Sequence, residues 1–182
     1  MLKLHINNET SRLRAVILGI ANSNGGIPKL EDCYDPKSID HVLAGTYPKE
    51  QEMILEMDAV AQVFKKYDVQ VFRPDLIENY NQIFSRDIAF VIEDTFIEAN
   101  ILPDREREYK AIETVLSQIN PEKIVVLPKQ CHVEGGDVVP WNEYLFIGTY
   151  SGTDYSEYIT ARTNIDAVIA LQELFPHKKV KS

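Results

Sequence analysis

The sequence is poor in cysteine: only Cys33 and Cys131 occur in 182 residues. They lie far apart with no partner at C-x-x-C spacing, so neither a disulfide scaffold nor a zinc site is expected, and a reducing, cytoplasmic setting is the natural reading. Long apolar runs are missing too. The longest, such as Ala15 to Ile20, fall far short of the roughly 20 residues that a membrane-spanning helix needs. The segment Met1-Leu2-Lys3-Leu4-His5, followed by Asn7-Asn8-Glu9, develops no signal-peptide core. Basic charge is in deficit, with 19 Lys and Arg against 28 Asp and Glu, a formal net charge of −9 and a pI near 4.9. A nucleic-acid partner needs a basic surface to displace counterions and is argued against. An acidic surface suits a small cation, although such surfaces are common.

What is present is an ordinary globular composition. Hydrophobic residues make up 45% and charged residues 26%, enough for one compact domain over residues 1–182 with a real core. Three segments read as helices. The first follows Thr46-Tyr47-Pro48 and places Met53, Met57, Val60, Ala61 and Phe64 on one face. The second follows Pro103-Asp104, with Asp104 as cap, and buries Ile112, Val115, Leu116 and Ile119. The third starts near Thr163-Asn164 and presents Ile165, Val168, Ile169 and Leu174 or Phe175.

Each helix runs into a short polar turn and then a β-branched stretch, entered at Val69, Ile124 and Val180, which are 55 and 56 residues apart. That regularity signals an internal repeat. Hairpins precede the second and third helices: Ile88 to Ile92 with Thr95 to Glu98, and Asp137 to Val139 with Tyr144 to Ile147, the latter joined by Pro140-Trp141-Asn142-Glu143. The repeating unit is therefore strand, strand, helix, strand. Before the first helix only one strand is clear, Arg14 to Ile20, and a Gly, Pro and Asp loop from Ala21 to Pro36 comes after it as a surface loop or a substrate lid. The third returning strand begins just before Lys181-Ser182, so the chain reads as an incomplete molecule or, alternatively, as ending in a short edge strand.

The densest chemical signal is Val133-Glu134-Gly135-Gly136-Asp137-Val138-Val139. Two glycines in a β-branched stretch cost stability, which suggests a bulge or a ligand close to the backbone. Asp87, in Phe84-Ser85-Arg86-Asp87, stands at the corresponding start of the preceding hairpin. If the units surround an axis, Asp87 and Glu134 or Asp137 converge. Converging carboxylates suit a guanidinium, a planar permanent cation with five donors. The alternative is that Arg86 and Asp87 form ion pairs and the glycines only make a turn.

Taken in order, Ser85-Arg86-Asp87, Arg105-Glu106-Arg107-Glu108, Glu134-Gly135-Gly136-Asp137 and Thr160-Ala161-Arg162-Thr163-Asn164 resemble the amidinotransferase and arginine deiminase superfamily, the penteins. The opening Asn8 to Ile17 is similar to that family's first strand, so the likeness covers nearly the whole chain. The resemblance implies an α/β propeller of five ββαβ units, of which this chain supplies about three. It implies that Asp87 binds the substrate guanidinium and that Glu134 orients it and helps proton transfer. Asp137 would support the glycine turn or the site's hydrogen bonds. Arg105 and Arg162 match arginines that hold a substrate carboxylate or shape the site in some relatives; as residues of this sequence they read equally as exposed helix-terminal charges.

Relatives attack the guanidinium carbon with a cysteine near the chain's end, with a histidine as acid and base, and form a covalent amidino intermediate. Neither Cys33 nor Cys131 matches that cysteine, and His132 beside Cys131 points to the opposite face of a strand. The catalytic cysteine and histidine are thus expected to be absent from this chain, which alone should be inactive. No metal or organic cofactor is implied. The segment Thr149 to Thr160 looks more like amidinotransferases than compact dimethylarginine hydrolases. An arginine deiminase-type hydrolase and a non-catalytic binding module on the same fold are the alternatives, and open sheet edges suggest self-association into a homo-oligomer.

Overall fold

A computed structural model describes residues 1–33, 35–101, 105–151 and 162–182. In chain order its elements are β1 (Ala15–Ile17), α1 (Pro36–Ala44), α2 (Glu50–Lys66), β2 (Gln70–Phe72), α3 (Ser85–Ile88), β3 (Ala89–Ile92), β4 (Thr95–Glu98), α4 (Arg107–Lys110), α5 (Glu113–Leu116), β5 (Ile124–Val126), β6 (Val138–Trp141), β7 (Tyr144–Ile147), α6 (Ile165–Leu174) and β8 (Lys179–Lys181). None of the described helices is long and apolar enough to cross a membrane.

The strands form small separate sheets, giving a mixed α/β fold. In the second and third sheets an antiparallel hairpin, β3–β4 or β6–β7, is extended by a strand parallel to its second member, β5 or β8. The helix between them carries the chain back to the same end, as a parallel pairing requires. The repeat is therefore real at the level of pairing. Phe96 and Leu145 hold the same place in their hairpins and pair with Ile124 and Val180. The first sheet keeps only the parallel pair β1–β2.

The second and third units share one core, which includes Ile88, Ile97, Ile112, Val133, Val138, Leu145 and Leu171. The segment before β1 lies across both hairpin turns, with Ile6 bridging Glu93 and Asn8 bridging Trp141. The turns are also fastened to each other. Buried Lys178 donates to the Asn142 carbonyl at 2.6 Å and pairs with Glu93 at 2.8 Å.

Several expectations are corrected. A helix, α1, occupies Pro36–Ala44, capped by Asp35 and closed by the left-handed Gly45. Val60 of α2 is exposed, while Ala61 is buried. In α6, Val168 and Phe175 are buried as expected, but Ile165, Ile169 and Leu174 face outward and Ala167 and Leu171 fill the core instead. The second helix is broken into α4 and α5, and its expected cap, Asp104, lies outside the described residues, as do residues 152–161 of the Thr149–Thr160 and Thr160–Asn164 segments. Pro140 lies within β6, where an edge strand tolerates a residue with no N–H, and the hairpin turn shortens to Asn142-Glu143.

Candidate functional site

The second and third units open on matching backbone. The Ala99 N–H donates to the Ile88 carbonyl and the Gly148 N–H to that of Asp137, so Ile88 and Asp137 are equivalent, as are Asp87 and Gly136. Gly135–Asp137 forms a tight turn rather than a strand. A Cβ at Gly135 would lie 2.2 Å from the Arg86 carbonyl oxygen, and one at Gly136 would lie 2.7 Å from Asp87 Oδ1. What approaches the glycines is thus the chain's own preceding unit, a contact that only glycine permits. Arg86 completes it, donating to the carbonyls of Gly135 at 2.9 Å and Val138 at 2.8 Å and pairing with Glu9.

This packing brings four of the five expected site residues to one place, and the fifth supports them. Arg105 Nη1 lies 2.9 Å from Asp87 Oδ2 and 3.9 Å from Glu134 Oε1. Arg162 Nη1 donates to Glu134 Oε1 at 2.6 Å. Asp137 turns instead to the segment that carries Arg162: its Oδ2 accepts from the Arg162 N–H at 3.0 Å and the Thr163 hydroxyl at 2.8 Å. Thr163 in turn accepts from the Glu134 N–H. Neither arginine is an exposed helix-terminal charge, since both are largely buried among carboxylates.

A further acid, not anticipated as a site residue, is decisive for Arg105. Glu108 is 2% exposed and grips the guanidinium with both oxygens, Oε1 to Nε at 2.6 Å and Oε2 to Nη2 at 3.1 Å. The Arg105-x-x-Glu108 spacing permits such a pair, but nothing in that strongly charged stretch announces burial. Burial works against the charge on Arg105, and the Glu108 and Asp87 carboxylates outweigh it, so the guanidinium is held more firmly charged than usual. For Glu134 burial dominates. Arg162 and Arg105 pull its pKa down, Asp87 pushes it up, and the net result lies above the ordinary glutamate range. Asp35, the cap of α1, stands close enough to Arg162 to feel its charge; burial opposes ionisation there, but Ser38 and Arg162 keep the carboxyl below its usual range.

Among the described residues, Asp87 Oδ1 and Glu134 Oε2 receive no hydrogen bond. Against the four acids Asp87, Glu108, Glu134 and Asp137 stand two described cations, Arg105 and Arg162, so the cluster retains negative charge and open acceptors. No group of metal-ligating residues occurs among the described residues. Neither thiol is activated. Cys131 is buried with Sγ against the Asp166 carbonyl, Cys33 Sγ donates to the Lys29 carbonyl, and burial raises both thiols.

No protein-family model and no curated protein matches the sequence. Solved structures do. SxtG, an amidinotransferase from Microseira wollei in the saxitoxin biosynthetic pathway, is similar with a TM-score of 0.72 at 19% identity, over 97% of this chain and 61% of that one. The inosamine-phosphate amidinotransferase of Streptomyces griseus gives 0.66 at 16%, over 99% and 62%. The DDAH of Pseudomonas aeruginosa, solved with citrulline, gives 0.63 at 17%, over 93% and 60%. The chain therefore has the fold of these proteins and spans about three fifths of their length.

Proposed function

We propose that the acids leading the second and third units form the guanidinium site of an amidinotransferase-like enzyme acting on arginine or a related guanidino compound. In this reading the units are blades of an α/β propeller, and the site lies near its axis. One observation carries it: carboxylates from successive units, Asp87 and Glu134, meet across a single guanidinium, that of Arg105. The pair is therefore spaced for such a group, and each acid keeps one open oxygen.

Asp87 Oδ1 and Glu134 Oε2 would accept the substrate's N–H groups, with Arg105 and Glu108 holding the acids in place. Arg162 would leave Glu134 for the substrate's carboxylate. In the reaction a thiolate forms a bond to the guanidinium carbon, the C–N bond breaks, and the amine departs with a proton. A second amine then displaces the thiolate and takes the amidino group. Glu134, with its raised pKa, is suited to exchange protons at the substrate nitrogens. SxtG and the Streptomyces enzyme are both amidinotransferases, which favours an amine over water as the final acceptor. With both described thiols unactivated, this polypeptide should bind the substrate without turning it over.

Calorimetric titration with arginine tests the site. Binding should weaken about tenfold or more in Glu134→Gln and Asp87→Asn, the loss of one charge-assisted hydrogen bond of roughly 1.5–3 kcal/mol. It should persist in Asp94→Asn, on the hairpin turn. Equal binding by all the variants, or none by folded wild-type protein, would refute the site, and citrulline formation by this polypeptide would refute the claim of binding without turnover.

A further inference from the structure

Glu134 and Arg162 are joined twice over. Side chain to side chain, Arg162 Nη1 donates to Glu134 Oε1 at 2.6 Å. Through the backbone, the Arg162 N–H and the Thr163 hydroxyl both donate to Asp137 Oδ2, at 3.0 and 2.8 Å, and the Glu134 N–H donates to Thr163 Oγ1 at 3.3 Å. Thr163 is fully buried, and its carbonyl accepts from the Tyr150 N–H at 2.9 Å. Asn164 exchanges hydrogen bonds with the His132 backbone, N–H to carbonyl at 3.0 Å and N–H to Asn164 Oδ1 at 3.1 Å. The chain under Arg162 is thereby fixed. Its long side chain, 24% exposed, is the part able to move.

The Glu134 side chain is 9% exposed, and its Oε1 lies between Arg162 Nη1 and Arg105 Nη1, the latter at 3.9 Å. An incoming guanidinium therefore meets a carboxylate already answered by two cations, and must displace one. Arg105 is locked by both oxygens of Glu108 and by Asp87, so it stays. Arg162 is the one that yields. Breaking its charge-assisted bond without a replacement is costly in so dry a place. Asp35 lies near enough to feel the Arg162 charge, but its Oδ1 is held by the Ser38 N–H as the cap of α1. A ligand with its own carboxylate supplies the missing partner, and one with only a guanidinium does not.

We infer that the Glu134–Arg162 pair is a gate that selects guanidino compounds carrying a carboxylate, and that it opens by exchange of partners. The ligand's guanidinium takes Glu134 while its carboxylate takes Arg162, so two ion pairs replace one. Asp137 and Thr163 are positioning residues that confine the swing to the Arg162 side chain. The inference rests on the guanidinium site proposed above, and adds that the two ends of the ligand bind cooperatively rather than independently.

Calorimetry with the two halves of arginine supplied separately tests the gate. On wild-type protein methylguanidine alone should bind weakly, and excess L-alanine should tighten it several-fold, because the amino acid's carboxylate draws Arg162 off Glu134. L-Alaninamide, which has no carboxylate, should have no such effect. Arg162→Gln, checked for folding by circular dichroism, should move two ligands in opposite directions: arginine about tenfold weaker, methylguanidine about tenfold tighter, with the alanine effect gone. A simple carboxylate clamp would weaken arginine and leave methylguanidine unchanged, and a structural role would weaken both. Either result overturns the gate, as does wild-type binding of methylguanidine that ignores alanine. Thr163→Val should shrink the alanine effect and Thr163→Ser keep it; a full effect in folded Thr163→Val removes the positioning role. The site itself is judged apart. If arginine binding still depends on Glu134 and Asp87, the site stands even where the gate fails, whereas folded wild type that binds no arginine removes both.

Discussion

The starts of the second and third units occupy equivalent places and do opposite things. Ser85-Arg86-Asp87-Ile88 supplies side chains: Ser85 bonds the Ile17 carbonyl, Arg86 reaches two carbonyls across the junction, and Asp87 faces the cluster. Glu134-Gly135-Gly136-Asp137 supplies room, its glycines admitting the other segment's backbone and carboxylate. A repeated backbone becomes a site because its copies differ in the way that lets one seat against the other.

Filling that room should break the asymmetry most severely. A methyl at Gly135 meets backbone, which cannot move aside, so Gly135→Ala should cost about 3 kcal/mol or more in urea unfolding. Gly136→Ala meets only the tip of Asp87 and should cost about 1 kcal/mol while weakening arginine binding. If the two alanines prove equally mild, the junction is looser than these close approaches imply. Removing the reaching side chain comes next. Arg86→Ala should lose roughly 1–3 kcal/mol by the same assay, because it takes a donor from the carbonyls of buried Gly135 and Val138, while the guanidinium itself is half-exposed.

The smallest effects should appear in pH profiles. A carboxyl whose folded pKa is raised stabilises the protein below its unfolded pKa, and that contribution is lost as pH rises through the folded value; Glu134 is such a group. Wild type should therefore lose stability relative to Glu134→Gln as pH climbs past the ordinary glutamate range. Arginine affinity should rise over the same window as the carboxylate forms. Glu93 titrates the other way. Hydrogen bonds from Lys178 and then His177 lower its pKa, so its contribution is present above the unfolded value and lost as pH falls through the folded one. Unfolding profiles of Glu93→Gln and Glu134→Gln that move in the same direction with pH would contradict these assignments.

Much of this can be read from residues alone, for identifiable reasons. β-branched residues at near-constant separation mark the returning strands, and Ile124 and Val180 do pack, partly buried, against the shared core. That Asp87 meets an acid of the next unit follows from their places in successive units; that the acid is Glu134 rather than Asp137 does not, because Asp137 turns to the Arg162 N–H and the Thr163 hydroxyl. The arginines are ambiguous because a charged side chain near a helix end looks the same whether it meets water or a buried Glu108. The faces of α2 and α6 differ from expectation at Val60, Ile165 and Ile169, since helical periodicity shows that a stripe exists but not which of two apolar stripes meets the core. Helix α1 is legible from its ends, since Asp35-Pro36 and Gly45 bracket it, yet it is absent from the expected elements; it buries none of its residues.

The amino-terminal segment has a mechanical consequence. By touching the hairpin turns at Glu93 and Trp141, with Glu9 reaching Arg86, it acts as a strap across the seam between two sheets. A load applied at Met1 would be shared between both hairpins at once, and the seam that shapes the acidic cluster would feel whatever is attached to that tail.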